Sequence, residues 1–132
     1  MSTMTQYWPN VKEAQGSSDY DDFWEHEWSK HGTCTGLSQS DYFNTTIALA
    51  EKLSTPSQYT AAVGGPINAN DLRSYFGGSS KVSLQCTNGS YIVGVLTCWS
   101  QVNGFPASQI ACASDVLKED SCTSSVLTVQ SF

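Results

Sequence analysis

Val82, Leu84 and Cys86 alternate with polar residues. The dipeptide Asn88-Gly89 then separates them from a second apolar run holding Ile92, Val93, Val95 and Leu96. Strict alternation marks a half-buried strand, and Asn-Gly between two such runs marks a tight β-hairpin. The pattern predicts strands over 82–86 and 91–99, a further strand over 105–112 and a short one over 126–129, with loops at 101–104 and 118–125. The first half of the chain has a different period. Phe43, Ile47, Ala50 and Leu53 recur at helical spacing, and Asp41 is placed to cap that helix. Pro56 breaks it, a short helix is expected over 58–63, and Gly64-Gly65-Pro66 reads as a turn. Asn70 or Asp71 starts another helix that runs to Tyr75 and stops at Gly77-Gly78. Helices mainly in the N-terminal half and strands in the C-terminal half make an α+β fold with an antiparallel central sheet. A chain of 132 residues is expected to form one domain, 1–132.

The chemistry is concentrated in Phe23-Trp24-Glu25-His26-Glu27-Trp28-Ser29-Lys30-His31-Gly32-Thr33-Cys34, which follows a polar loop over 10–22 and holds both histidines of the chain. Imidazole and carboxylate move protons near neutral pH, and lysine adds a cation for an oxyanion or phosphate. In a regular helix, residues three or four apart are neighbours, so Glu27 and His31, His26 and Lys30, and Glu27 and Lys30 share a face. Trp24 and Trp28 share a stripe and with Phe23 take the buried side; for both tryptophans core packing outweighs base stacking. Gly32 is expected to end the helix in a left-handed conformation. A solvated surface helix explains this concentration poorly. A zinc hydrolase fits no better: at roughly 100° per residue, His26 and His31 would stand about 140° apart around a regular helix, where ligands four apart differ by about 40°.

The segment resembles the second active-site motif of the ribonuclease T2 family, the acid and S-type endoribonucleases. Tyr7-Trp8-Pro9, the stretches 68–76 and 82–86, the cysteine-rich end and the final Ser131-Phe132 resemble further landmarks of the family. The resemblance implies cleavage of single-stranded RNA by transesterification through a 2′,3′-cyclic phosphate, by a monomer, with no metal, no cofactor and no membrane attachment. It makes His31 the acid/base histidine, assigned here as general base. Glu27 orients His31 or assists the phosphate transition state, Lys30 stabilises the phosphorane, and His26 binds phosphate; packing is the competing role for His26.

The family's other motif, of the type His-Gly-Leu-Trp-Pro, carries a second catalytic histidine and is absent from the sequence. The chain is therefore expected to lack the family's N-terminal segment, to have impaired activity and a sheet edge left unpaired, or else to be an inactive RNA-binding relative or gene fragment. Five cysteines leave one unpaired and allow fifteen connectivities. The resemblance selects Cys86 with Cys122 and Cys98 with Cys112, leaving Cys34. Two sequons, at Asn44 and Asn88, point to a secreted or vacuolar/lysosomal-type compartment. No apolar run approaches a membrane span. A net charge of −6 argues against generic nucleic-acid binding, which uses basic patches.

Overall fold

A computed structural model describes residues 3–53 and 55–131; Met1 and Phe132, the ends of the expected domain, lie outside them. The chain divides into two compact units, Met1–Ser54 with Val102–Pro106, and Thr55–Gln101 with Ala107–Phe132.

The first unit is helical. Helix α1 covers Thr3–Tyr7, α2 covers Asp22–Glu27, and α3 covers Gln39–Leu53. The cap of α3 is Ser38 rather than Asp41: the Ser38 Oγ accepts from the Asp41 N–H and donates to the Asp41 carboxylate. This reciprocal pair satisfies an orphan amide of the first turn. Phe43 and Ile47 are buried one turn apart, as their spacing predicts. Aromatic rings form the rest of this core. Trp8 meets Phe43 edge-on at 5.2 Å, Tyr20 meets Trp24 at 5.4 Å, and Trp28 lies 5.7 Å from Tyr42. Tyr20, at 7 % exposure, also closes the loop before α2: its hydroxyl accepts from the Asn10 N–H and its carbonyl from the Asn10 side chain.

The second unit is built on a four-stranded sheet, β1 Pro66–Asn68, β2 Val82–Thr87, β3 Tyr91–Thr97 and β6 Val126–Thr128, in the order β1-β6-β3-β2. Its pairs are antiparallel except for the single parallel match of Tyr91 with Thr128. Asn88 and Gly89 both have positive φ, 53° and 71°, the backbone a primed two-residue turn requires. A bulge between Gln85 and Cys86 leaves Val93 without an opposite residue. Apart from that match at Tyr91, no strand among the described residues lies beside β3 on its side away from β2. Ile67, Leu72, Val82, Leu84, Ile92, Leu127 and Val129 fill the core, with Leu72, Leu84 and Leu127 fully buried.

Helices α4 Ser57–Ala61, α5 Ala69–Tyr75 and α6 Ser114–Leu117 complete this unit. Helix α5 starts earlier than expected, because the Asn68 side chain, not Asn70 or Asp71, is the cap, accepting from the amides of Asn70 and Asp71. The expected strand over 91–99 is also two elements: β3 ends at Thr97, and Trp99 opens β4, Trp99–Val102, which pairs with β5, Phe105–Gln109. Asn103 and Gly104, at φ 52° and 84°, turn β4 into β5, where a loop was expected. Disulfides join Cys86 to Cys122 and Cys98 to Cys112, and Cys34 is free and exposed.

Candidate active site

Helix α2 does not continue as an α-helix. Its last residue is Glu27, and Trp28–Gly32 form a π-helical turn in which the Thr33 N–H donates to the Trp28 carbonyl, five residues back. Such a turn inserts one extra residue into the helical period and is often found at functional sites. Small hydroxyl side chains take up carbonyls along the widened turn. Ser29 donates to the His26 carbonyl at 3.1 Å, Thr33 to that of Ser29 at 3.2 Å, and Thr35 to that of Gly32 at 2.6 Å.

Gly32 is right-handed here, φ −87°, contrary to the expected left-handed stop; Gly36, at φ 76°, takes that conformation. The need for glycine at 32 is steric. A Cβ would run into the Trp28 ring, which is itself packed on Tyr42. Gly32→Ala is therefore expected to cost about 1–3 kcal/mol by overpacking and to shift the neighbouring His31. Thermal unfolding and histidine NMR shifts check this; an unchanged midpoint with unchanged shifts would contradict the packing account.

The turn alters which site residues meet. In a regular helix His26 and His31 diverge, but with a five-residue bond inside the segment they come to one side. Their ring centres are 6.4 Å apart, and one donor atom from each of His26, Glu27 and His31 lies within 4.8 Å of the others. The regular-helix argument against a shared ligand for the two histidines therefore fails, because the helix is not regular there. Both histidines are exposed and Glu27 is half-buried. Lys30 is exposed on the same turn and makes no hydrogen bond or ion pair among the described residues. The structure thus brings three of the four expected site residues together and leaves Lys30 beside them with its ammonium free to meet an anion.

Two residues outside the expected set shape this cluster. The Tyr42 phenol is held above its ordinary value of 10.0, first by burial, then by the Glu27 carboxylate and by Cys34. It stays neutral beside Glu27. Trp24 anchors α2 by donating from Nε1 to the Trp8 carbonyl at 2.8 Å, so Tyr7-Trp8-Pro9 acts as a support for the helix. A cleft next to the cluster is lined by Asn10, Val11, Phe23, His26 and Glu27 among others. Val11 is 88 % exposed there, and Phe23 is half-buried.

The sequence model of the Ribonuclease T2 family matches residues 1–112, most of the chain and all of this site. The chain belongs to the ribonuclease T2 family. Ribonuclease MC of Momordica charantia is 29 % identical over 113 residues, covering 76 % of this chain and 57 % of that protein. Ribonuclease Rh of Rhizopus niveus is 29 % identical over 109 residues, covering 67 % and 43 %. Intracellular ribonuclease LX of Solanum lycopersicum is 48 % identical over 52 residues, 39 % of this chain and 21 % of that one. This ribonuclease T2 family chain thus spans about half the length, or less, of the curated relatives it matches. No solved structure gives a significant match.

Proposed function

We propose that this chain carries the His26–Glu27–Lys30–His31 half of an endoribonuclease site that cleaves single-stranded RNA by transesterification. The observation that carries the reading is the π turn, which gathers two imidazoles and a carboxylate at the mouth of an open cleft. His31 takes the proton from the ribose 2′-hydroxyl, and O2′ attacks phosphorus as the P–O5′ bond breaks. The products are a 2′,3′-cyclic phosphate and a free 5′-hydroxyl, whose proton comes from water or from an acid outside these 132 residues. Glu27, within reach of His31, holds the imidazole in the productive orientation. His26 and Lys30 face the phosphate and stabilise the charge that builds on it. The chemistry needs no metal. Two disulfides and two sequons support a secreted or vacuolar/lysosomal-type compartment, and no described helix is long and apolar enough to cross a membrane.

A second reading is an RNA-binding relative without turnover. Short RNA and its 2′-deoxy analogue, each incubated with the protein in EDTA, separate the two. Cleavage of the RNA alone is expected. Binding of both oligonucleotides without cleavage would replace the first reading with the second.

A further inference from the structure

We infer that Asn44 is an N-glycosylation site and that the first sugar attached there lies in a cleft of the helical unit, against Phe105. The inference rests on the secreted or vacuolar/lysosomal-type compartment and goes beyond it, because two sequons do not say which asparagine is used or what the sugar covers. Asn44-Thr45-Thr46 is an acceptor triplet with no proline at its centre. Helix α3 holds Asn44 on its exposed side, while Phe43 and Ile47 turn into the core. Asp41, Asn44, Ala48 and Lys52 follow one another at three- or four-residue steps and so form a single stripe. Together with Phe105 and Pro106 this stripe lines a cleft of about 380 Å³. Small-ligand sites fall in the range of about 300–1,000 Å³. The Phe105 ring is 44 % exposed. A pyranose presents a face of C–H groups and a rim of hydroxyls. The C–H face suits the electron-rich face of an aromatic ring. Asp41 and Lys52 supply a carboxylate and an ammonium for the hydroxyls.

The donor is an oligosaccharide carried on a polyprenyl diphosphate. Asn44 Nδ2 bonds to C1 of its first N-acetylglucosamine as the C1–O bond to the diphosphate breaks. The leaving oxygen keeps the electron pair, and Nδ2 gives one proton to base. One N–H remains on Nδ2, enough to keep its hydrogen bond to Ser40 Oγ at 3.3 Å. The Thr46 hydroxyl, the third member of the triplet, donates to the Tyr42 carbonyl at 2.8 Å once α3 has formed. A transferase reads that hydroxyl before the helix closes on it, so the sugar is added to the emerging chain and packs as the unit folds. Asn88 differs: it stands exposed in the hairpin turn, at φ 53°.

Secretion of the full chain from a eukaryotic host, followed by peptide mass mapping, tests the site. The peptide holding Asn44 should carry the sugar. Asn44→Gln should lose that mass, and Asn88→Gln should keep it. Release of the glycan from the folded protein by a glycan-cleaving amidase tests the packing. It should be at least about tenfold faster in Phe105→Ala than in the unaltered protein, because a packed sugar is reached only through local opening. NMR of the unaltered glycoprotein gives a readout that needs no variant: the acetyl methyl of the first sugar should show nuclear Overhauser contacts to the Phe105 ring. A bare Asn44 in a secreted chain with both disulfides formed would overturn the site and leave the compartment standing. Equal release rates, with no contact between the acetyl methyl and Phe105, would overturn the packing. Free thiols at Cys86 and Cys122 in the protein taken from its own cells would overturn the compartment and the inference with it.

Discussion

Asp120→Ala is expected to be strongly destabilising, lowering stability by about 3 kcal/mol. The Asp120 carboxylate accepts from Arg73 Nε at 3.1 Å and Nη2 at 2.8 Å, from the Leu84 N–H at 3.1 Å and from the Cys122 N–H at 3.1 Å. The Arg73 and Asp120 side chains are 16 % and 19 % exposed, so water replaces little of what is lost. One substitution would strand a mostly buried guanidinium and an amide of the edge strand β2. The neighbouring Cys86 N–H, which donates to Ser121 Oγ, depends on the same segment. At roughly 4 °C per kcal/mol, the unfolding midpoint should fall by roughly 10 °C. Removing the stranded charge as well, in Arg73→Leu with Asp120→Leu, should recover part of the loss. A drop in the single variant below about 0.5 kcal/mol, the range of an exposed ion pair, would show that the network contributes nothing beyond surface charge.

The second large effect is on rate. His31→Ala should lower RNA cleavage by about 10²–10⁴-fold, the usual worth of a positioned acid/base group. The exposed ring supports no core contact, so the fold should be unaffected. Glu27 is assigned to act through His31, which makes a sharper expectation available. Glu27→Gln alone should reduce the rate, but adding it to His31→Ala should reduce it little further, since residues that act as a unit are not additive. Fully multiplicative losses, measured as initial rates on one oligonucleotide, would instead give Glu27 an independent role.

The hairpin around Asn88-Gly89 and the buried face of α3 follow directly from patterning, because each rests on neighbours a few residues apart. Asn103-Gly104 carries the same turn signal, with both residues at positive φ, but the strands it joins are short and lack alternation, so patterning does not mark them. The disulfide pairs were accessible through the family resemblance; spacing alone leaves fifteen connectivities. The site was legible in its residue types and less so in its geometry. A period of 3.6 residues places His26 and His31 apart, and the π turn reunites them with Trp28 lying against Gly32 and packed on Tyr42. The packing of Trp28 on Tyr42 joins two elements and is not marked by local spacing. Asp120 was hidden for a similar reason: its partners Arg73 and Leu84 are distant in sequence, and 118–125 has the composition of a loop.

The most direct test of the catalytic assignment is the first product formed from a dinucleoside monophosphate in EDTA, followed by phosphorus NMR with the unaltered protein and His31→Ala side by side. A 2′,3′-cyclic phosphate should accumulate before any monoester with the unaltered protein, and its formation should fall by at least about a hundredfold with the variant. A cyclic phosphate formed equally fast by both proteins, or a 5′-phosphate product, would contradict it.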